Sequence, residues 1–282
     1  MTPRTLIADS GSTKTTWMEV TSGNMIVTEG LNPHFTSDEQ FLEAFNNVGV
    51  QLGTVNRVVF YGAGCGDEQQ KQRTVALLCK GFHTDNVMVE TDMLGACRAV
   101  AGGQSAMVGI LGTGSNACYY DGIRITHNSI STGFILGDKG SANHVGRLLL
   151  NDYLTHAMPN DIITIFHDTY PMTNSQFMYA VYHQPHPNRF LASLAPFAVH
   201  HIKHNYCCEV ITSSIKGWYE EMVKTLRQEV GTEHTLHLIG SYAQAIEPIL
   251  RTLMNNYGIT VGNIIADPIE GLRHYHLHPT QK

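Results

Sequence analysis

Apolar and polar positions follow two rhythms along the chain, and each change of rhythm marks an element. Short runs rich in β-branched and aromatic residues read as strands: "LIAD" from position 6, "RVVFYG" at 57–62, "NVMVE" at 86–90 and "LHLIG" at 236–240. Apolar residues spaced three and four apart predict helices at 37–49, about 67–80, 93–101 and 141–157. A largely helical region follows over 174–231, with further helices at 242–257 and 268–277. Alternating strands and helices through the first hundred residues imply an α/β fold with a mostly parallel sheet. The small-residue connector "AGGQSA" at 101–106 is the candidate boundary. It separates a domain over 1–104 from a larger, more helical one over 105–265, and the C-terminal helix within 266–282 is expected to pack back on the first.

One pattern occurs twice. In "LIADSGSTKTTWMEV" (6–20) and in "VGILGTGSNACYYD" (108–121) an apolar run ends at a small-residue turn, and a second extended segment follows. Strand, tight turn and strand is a hairpin signature, and Gly11, Gly112 and Gly114 are expected to take positive φ there. Both turns, Gly11-Ser12-Thr13-Lys14 and Gly112-Thr113-Gly114-Ser115, carry too little side chain for a core. Successive bare amides of this kind form an anion-binding nest, although a plain hairpin turn satisfies the same residues. Asp9 ends the first strand, either capping that turn or serving a ligand. "VETDMLGACRA" sets Asp92 between a strand and a helix, where it acts as a helix N-cap or as a presented base.

Composition narrows the classes. The 282 residues are 43% hydrophobic and 15% charged, which suits a globular protein of two domains. A formal net charge of -6 without a basic run argues against nucleic acid as a partner. No apolar run approaches the roughly 20 residues that cross a bilayer, and the chain enters its first strand without a signal-type n-region and h-region. Its six cysteines lack framework spacing and read as reduced thiols of a cytoplasmic protein. His200, His204, Cys207 and Cys208 fall near one face at helical spacing, so zinc is weighed there against a packed helix, the favoured reading. "FYGAGCGDE" (60–68) imitates a dinucleotide fingerprint, but Asp67 stands at the third glycine and would repel a pyrophosphate. Gly62 and Gly64 read instead as a strand-end loop facing the cleft. "HYHLHP" (274–279) reads as a frayed end with exposed histidines.

Taken in order, the two hairpins, Asp92 and "LHLIGSYA" (236–243) resemble the actin/Hsp70/sugar-kinase superfamily. Within it the chain is similar to the BadF/BadG/BcrA/BcrD ATPase-like family, nearest to its N-acetylglucosamine kinase branch. The resemblance implies a duplicated, ribonuclease H-like fold of two actin-like domains with a nucleotide cleft between them. It also implies ATP and Mg²⁺ as cofactors, a sugar and ATP as partners, and a homodimer as a possible assembly. On this resemblance Gly11, Ser12, Thr13 and Lys14 face the terminal phosphates from one domain, Gly112, Thr113, Gly114 and Ser115 meet them from the other, and Asp9 holds the metal. Asp92 takes the acceptor's proton. Gly240, Ser241 and Ala243 receive the adenosine. Asn32 and His34 in "GLNPHFTS", Asp92, and Ser131, Thr132, Gly133 and Asp138 in "STGFILGDKGSANHVG" contact the sugar. The implied activity is phosphorylation of N-acetylglucosamine at its 6-hydroxyl. Lys139 stands where the family often has an acid, Thr132 where it often has tryptophan, and Ser241 replaces a common second glycine. Lys139 makes an acidic amino sugar such as N-acetylmuramic acid the alternative acceptor. An ATPase activator and a sugar or nucleotide sensor are the alternative functions.

Overall fold

A computed structural model describes residues 4–278. Its first hundred residues alternate as the sequence pattern predicts: β1 (Thr5–Ser10), β2 (Lys14–Glu19), β3 (Met25–Glu29), α1 (Asp38–Leu52), β4 (Arg57–Gly62), α2 (Glu68–Phe82), β5 (Val87–Thr91) and α3 (Asp92–Ala101). There follow β6 (Ala106–Leu111), β7 (Ser115–Tyr120), β8 (Ile125–Asn128), α4 (Gly133–Leu136), α5 (Ala142–Leu154), α6 (Asn160–Thr169) and α7 (Asn174–Tyr182). The chain continues through α8 (Pro187–Ala192), α9 (Ala195–His200), α10 (Asn205–Trp218), a π-helical turn at Tyr219–Val223 and α11 (Lys224–Val230). It closes with β9 (Leu236–Ile239), α12 (Ser241–Ala245), α13 (Glu247–Asn256), β10 (Val261–Ile265) and α14 (Ile269–Leu277).

The chain forms two compact units. The first holds the residues up to Ser105, the short span Tyr120–Ile125 and the segment from Asp267 onward; the second holds Ala106–Tyr119 and Thr126–Ala266. The ends of the sequence-based ranges, 1–3 and 279–282, lie outside the described residues. Each unit has one five-stranded sheet, ordered β3-β2-β1-β4-β5 and β8-β7-β6-β9-β10. Both therefore run third, second, first, fourth, fifth, which is one topology used twice.

In the first sheet β1 pairs antiparallel with β2 and parallel with β4. Its central strands are apolar on both faces, as strands covered on both sides must be. Leu6, Ala8, Val58 and Phe60 face α1 and α2 with Trp17, Phe41, Phe45 and Leu78, whereas Ile7, Val59 and Tyr61 face α3 and α14 with Ile269 and Leu272. Period-2 alternation thus places neighbours in opposite cores. Ser37 caps α1 through a capping box with Gln40, and Asp67 caps α2 by accepting from the Gln70 amide at 2.9 Å. That cap is why an acid ends the fingerprint look-alike.

The region 174–231 is five helices and a π-turn rather than a continuous element, because Pro187 and Pro196 each start a new helix. This break corrects the metal arithmetic: α9 ends at His200 and α10 starts at Asn205, so the histidines and cysteines do not share one helix face. His204 pairs with Asp161 at 3.1 Å and Cys207 is fully buried. Among the described residues no group of three or more His, Cys, Asp or Glu is arranged to hold a metal. None of the helices there is long and apolar enough to cross a membrane.

Of the C-terminal histidines, His274 and His278 are exposed as expected, but His276 is not. Residues 274–277 continue α14, and the His276 ring shares a 2.9 Å hydrogen bond with the Tyr61 hydroxyl. Gly271 lets α14 lie against α3, since a side chain there would meet the backbone of Ala99.

Candidate functional site

In the first unit, β1 carries Asp9 to the mouth of the first turn. The turn closes through the Gly11 amide donating to the Lys14 carbonyl at 3.0 Å. Gly30 packs beneath it, where any side chain would strike Ser12 at 2.7 Å. Thr13 and Lys14 are exposed, and Gly11 and Ser12 half-buried. Contrary to expectation, Gly11, Gly112 and Gly114 all lack positive φ. Gly114 is small because a Cβ would meet the Asp138 carboxylate at 2.9 Å. Among the described residues a Cβ on Gly11 would come no closer than 3.8 Å to a neighbour, and one on Gly112 would meet nothing within 4 Å. Neither dihedral nor packing accounts for these two glycines. What remains is room beside the backbone amides, which suits an anion.

Two further carboxylates act on Asp9 here. Burial first, then the charges of Asp267 and Asp92, together push Asp9 up to about 8 against the pull of Lys14. Asp267 was not foreseen. It sits between β10 and α14, accepts from the Lys14 ammonium at 2.5 Å and receives the Ile269 amide at 3.0 Å. The Asp-Pro pair at 267–268 signals a turn, but no local pattern ties it to a lysine 253 positions away. Lys14 is therefore an ion-pair partner of Asp267 as well as a turn residue.

Asp92 opens α3 yet does not cap it. Thr91 takes that role, accepting from the Leu94 amide at 3.1 Å. The Asp92 Oδ1 accepts its neighbour's amide, from Met93 at 2.9 Å, and burial holds the group above the ordinary carboxylate range. A half-buried carboxylate of raised pKa at a strand–helix junction is equipped to take a proton. Asn32 is half-buried and His34 exposed on the same segment, where the Asn32 Oδ1 accepts the His34 amide at 3.0 Å. A side chain at Gly64 would collide with Asn32.

In the second unit Asp138 lies against the second glycine turn. It is 8% exposed and holds φ of 53°. One oxygen accepts from the Asn143 amide group at 2.8 Å, the other from the Ser115 backbone at 3.4 Å. Burial raises its pKa, offset by those two donors. The Ser115 hydroxyl donates to the Lys139 carbonyl at 2.7 Å. Ser131, Thr132 and Gly133 are exposed on the segment before Asp138. Lys139 forms an ion pair with Glu221 of the π-turn. Gly240 ends β9 with φ of 129°, its would-be Cβ blocked by the Leu111 carbonyl beside Gly112, so this glycine is needed by the fold itself. Ser241 is exposed beside it. Ala243 is 0% exposed, its side chain in the core, so that side chain does not face a ligand.

No protein-family model matches the sequence, and no curated protein does. Solved structures do. A candidate N-acetylglucosamine kinase from Porphyromonas gingivalis is 33% identical, with a TM-score of 0.90 over 98% of this chain and 99% of its own. A second candidate N-acetylglucosamine kinase, from Chromobacterium violaceum, superposes with a TM-score of 0.76 at 15% identity, over 97% of this chain and 98% of its own. A glucokinase of the ROK family from Streptomyces griseus, solved with glucose and AMPPNP, gives 0.59 at 13% identity over 96% of this chain and 97% of its own. At such identities the last two speak for the fold alone.

Proposed function

The chain belongs to the N-acetylglucosamine kinase family of the actin/Hsp70/sugar-kinase superfamily, and from that premise we propose that it is an ATP-dependent sugar kinase acting on the 6-hydroxyl of N-acetylglucosamine. The observation that carries this reading is the pair of glycines, Gly11 and Gly112, whose missing side chains no contact among the described residues requires. Phosphoryl transfer asks for positioning and charge neutralisation rather than covalent chemistry, and bare amides supply both.

In this proposal Gly11, Ser12, Thr13 and Lys14 bind phosphate oxygens, as do Gly112, Thr113, Gly114 and Ser115. Gly240 and Ser241 receive the adenosine. Asn32, His34, Asp92 and the segment Ser131, Thr132 and Gly133 orient the acceptor. Asp138 holds the second turn in shape and borders the acceptor from there. Asp92 takes the proton of the attacking hydroxyl, and its raised pKa makes it a stronger base than an exposed aspartate.

Asp9 fits a magnesium site. Its carboxylate is pushed up by burial and by two neighbouring acids, and a divalent cation relieves that repulsion. When bound, Mg²⁺ supplies neutralising charge to the phosphate oxygens. A neutral acceptor is favoured over an acidic one because the Lys139 ammonium is matched by Glu221.

The test is ADP release across neutral amino sugars and N-acetylmuramic acid. N-acetylglucosamine is expected to be the best acceptor. Asp92→Asn is expected to lower kcat by about 10²- to 10⁴-fold with little change in the KM for ATP. ATP turnover that no sugar stimulates would end the proposal.

A further inference from the structure

Two candidate ligand-binding segments of the second unit are tied to one helix. The amides of Ala142 and Asn143, opening α5, donate to the carbonyls of Gly112 and Thr113 at 2.9 and 3.1 Å. The Asn143 side chain then uses a single nitrogen twice, donating to the Thr113 carbonyl at 2.6 Å and to the Asp138 carboxylate at 2.8 Å. Its other end, Oδ1, is buried with no hydrogen-bond partner. The amide's orientation is thus set by the balance between the glycine turn on one side and Asp138 on the other.

One turn later on the same face, Arg147 reaches the segment before Asp138. Its guanidinium donates to the carbonyls of Phe134 and Ile135 at 2.9 and 2.8 Å. Of that segment's side chains Phe134 packs partly buried against the core, whereas Ile135 and Leu136 are 69% and 78% exposed. Arg147 is therefore a principal tie on its backbone. The helix between the two ties is held firmly. Val145, Leu149 and Leu150 are buried, Gly146 leaves no space against the Leu191 carbonyl, and the His144 ring shares a 2.7 Å hydrogen bond with Ser214.

We propose that Asn143 and Arg147 are positioning residues that couple acceptor binding to nucleotide binding, through α5 and the shared Asn143 donor. The inference rests on the kinase reading, which makes Asp138 and 131–133 the acceptor side and 112–115 the phosphate side. An acceptor hydroxyl that donates to Asp138 shares its carboxylate with one N–H of Asn143, whose other N–H stays on the Thr113 carbonyl, so a shift of Asp138 is passed through this amide to the turn. Ordering of 131–135 by the acceptor acts in the same direction through Arg147. Neither residue touches a substrate in this scheme.

The experiment is calorimetric titration of the full chain with AMPPNP, without and with saturating N-acetylglucosamine. In the unsubstituted protein the sugar is expected to tighten AMPPNP by at least about fivefold. Arg147→Gln and Asn143→Ala are each expected to bring that factor to within about twofold of unity while both ligands still bind separately. A purely structural role would weaken binding or stability without changing the ratio. Arg147→Gln removes two backbone hydrogen bonds at the rim of α5 and a positive charge that acts on Asp138 and His144, and it leaves the buried face of the helix intact, so it decides the question even where Asn143→Ala fails to fold. A factor unchanged in Arg147→Gln overturns the inference, as does a factor of one in the unsubstituted protein when both ligands bind. Failure of that protein to bind either ligand overturns the kinase reading, and this inference with it.

Discussion

Asp9 shows how a single residue sets function against stability. Its folded-state pKa of about 8 stands well above the ordinary 3.8. Between those values the unfolded chain gives up its proton more readily than the folded one. The folded state is therefore least penalised below 3.8, and stability drains away as pH rises toward 8. Asp9→Asn is expected to raise Tm at pH 8 by a few degrees, from about 1–2 kcal/mol at 2–4 °C per kcal/mol. The gain should vanish near pH 4, and magnesium should stabilise the unsubstituted protein but not the variant. Thermal melts across pH with and without Mg²⁺ check this; a variant less stable at pH 8 contradicts it. Gly11 and Gly112 make the complementary point. Their type and the room they leave beside the amides were legible as a turn signal, but the expected positive φ was not found: the backbone does not need glycine there.

Among the elements, α14 carries the clearest consequence. The His276 ring meets the Tyr61 hydroxyl, which also accepts from Arg98 at 3.0 Å, and burial pushes the imidazole down to about 4, helped by the charges of Arg57 and Arg98. A buried neutral histidine contributes fully above its unfolded value of 6.5, and that contribution falls away as pH drops from 6.5 toward 4. His144, also held near 4 by burial against Ser214, acts with the same sign. His276→Gln is expected to flatten the stability profile between pH 6.5 and 4.5 by about 1–2 kcal/mol, leaving the His144 share in place. Urea midpoints at several pH values measure it, and an unaltered slope would refute it. Periodicity located α14 well but took its histidines for a loose end, because a 3.6-residue pattern reports a helix and not what covers it. Likewise Asp92 was placed correctly at a helix start, whereas the capping partner proved to be Thr91 one residue earlier.

For the molecule as a whole, two sheets of one strand order underlie two compact units, each with its own core. Ligands that bind only the folded state raise its stability by mass action. AMPPNP and N-acetylglucosamine, each at about 100 times its Kd, are each expected to add about 2.7 kcal/mol, a shift of roughly 5–10 °C at 2–4 °C per kcal/mol. Differential scanning calorimetry reads this directly, and no shift with either ligand counts against the proposed function. The repeated hairpin, the alternation of strand and helix and the order of the motifs were all present in the residue pattern, because strand, turn and helix signals are local and act within a few positions. That was enough for the α/β class and the twofold architecture, and it named most of the residues now proposed for the site. Tertiary structure alone decided that Asp267 pairs with Lys14 from the far end of the chain, that Asp138 leans on the second glycine turn, and that Ala243 turns inward. It also decided that Lys139 meets a counter-charge on the π-turn. Each of these depends on contacts between residues distant in sequence, and side-chain charge and burial are set by such neighbours, which no local pattern encodes.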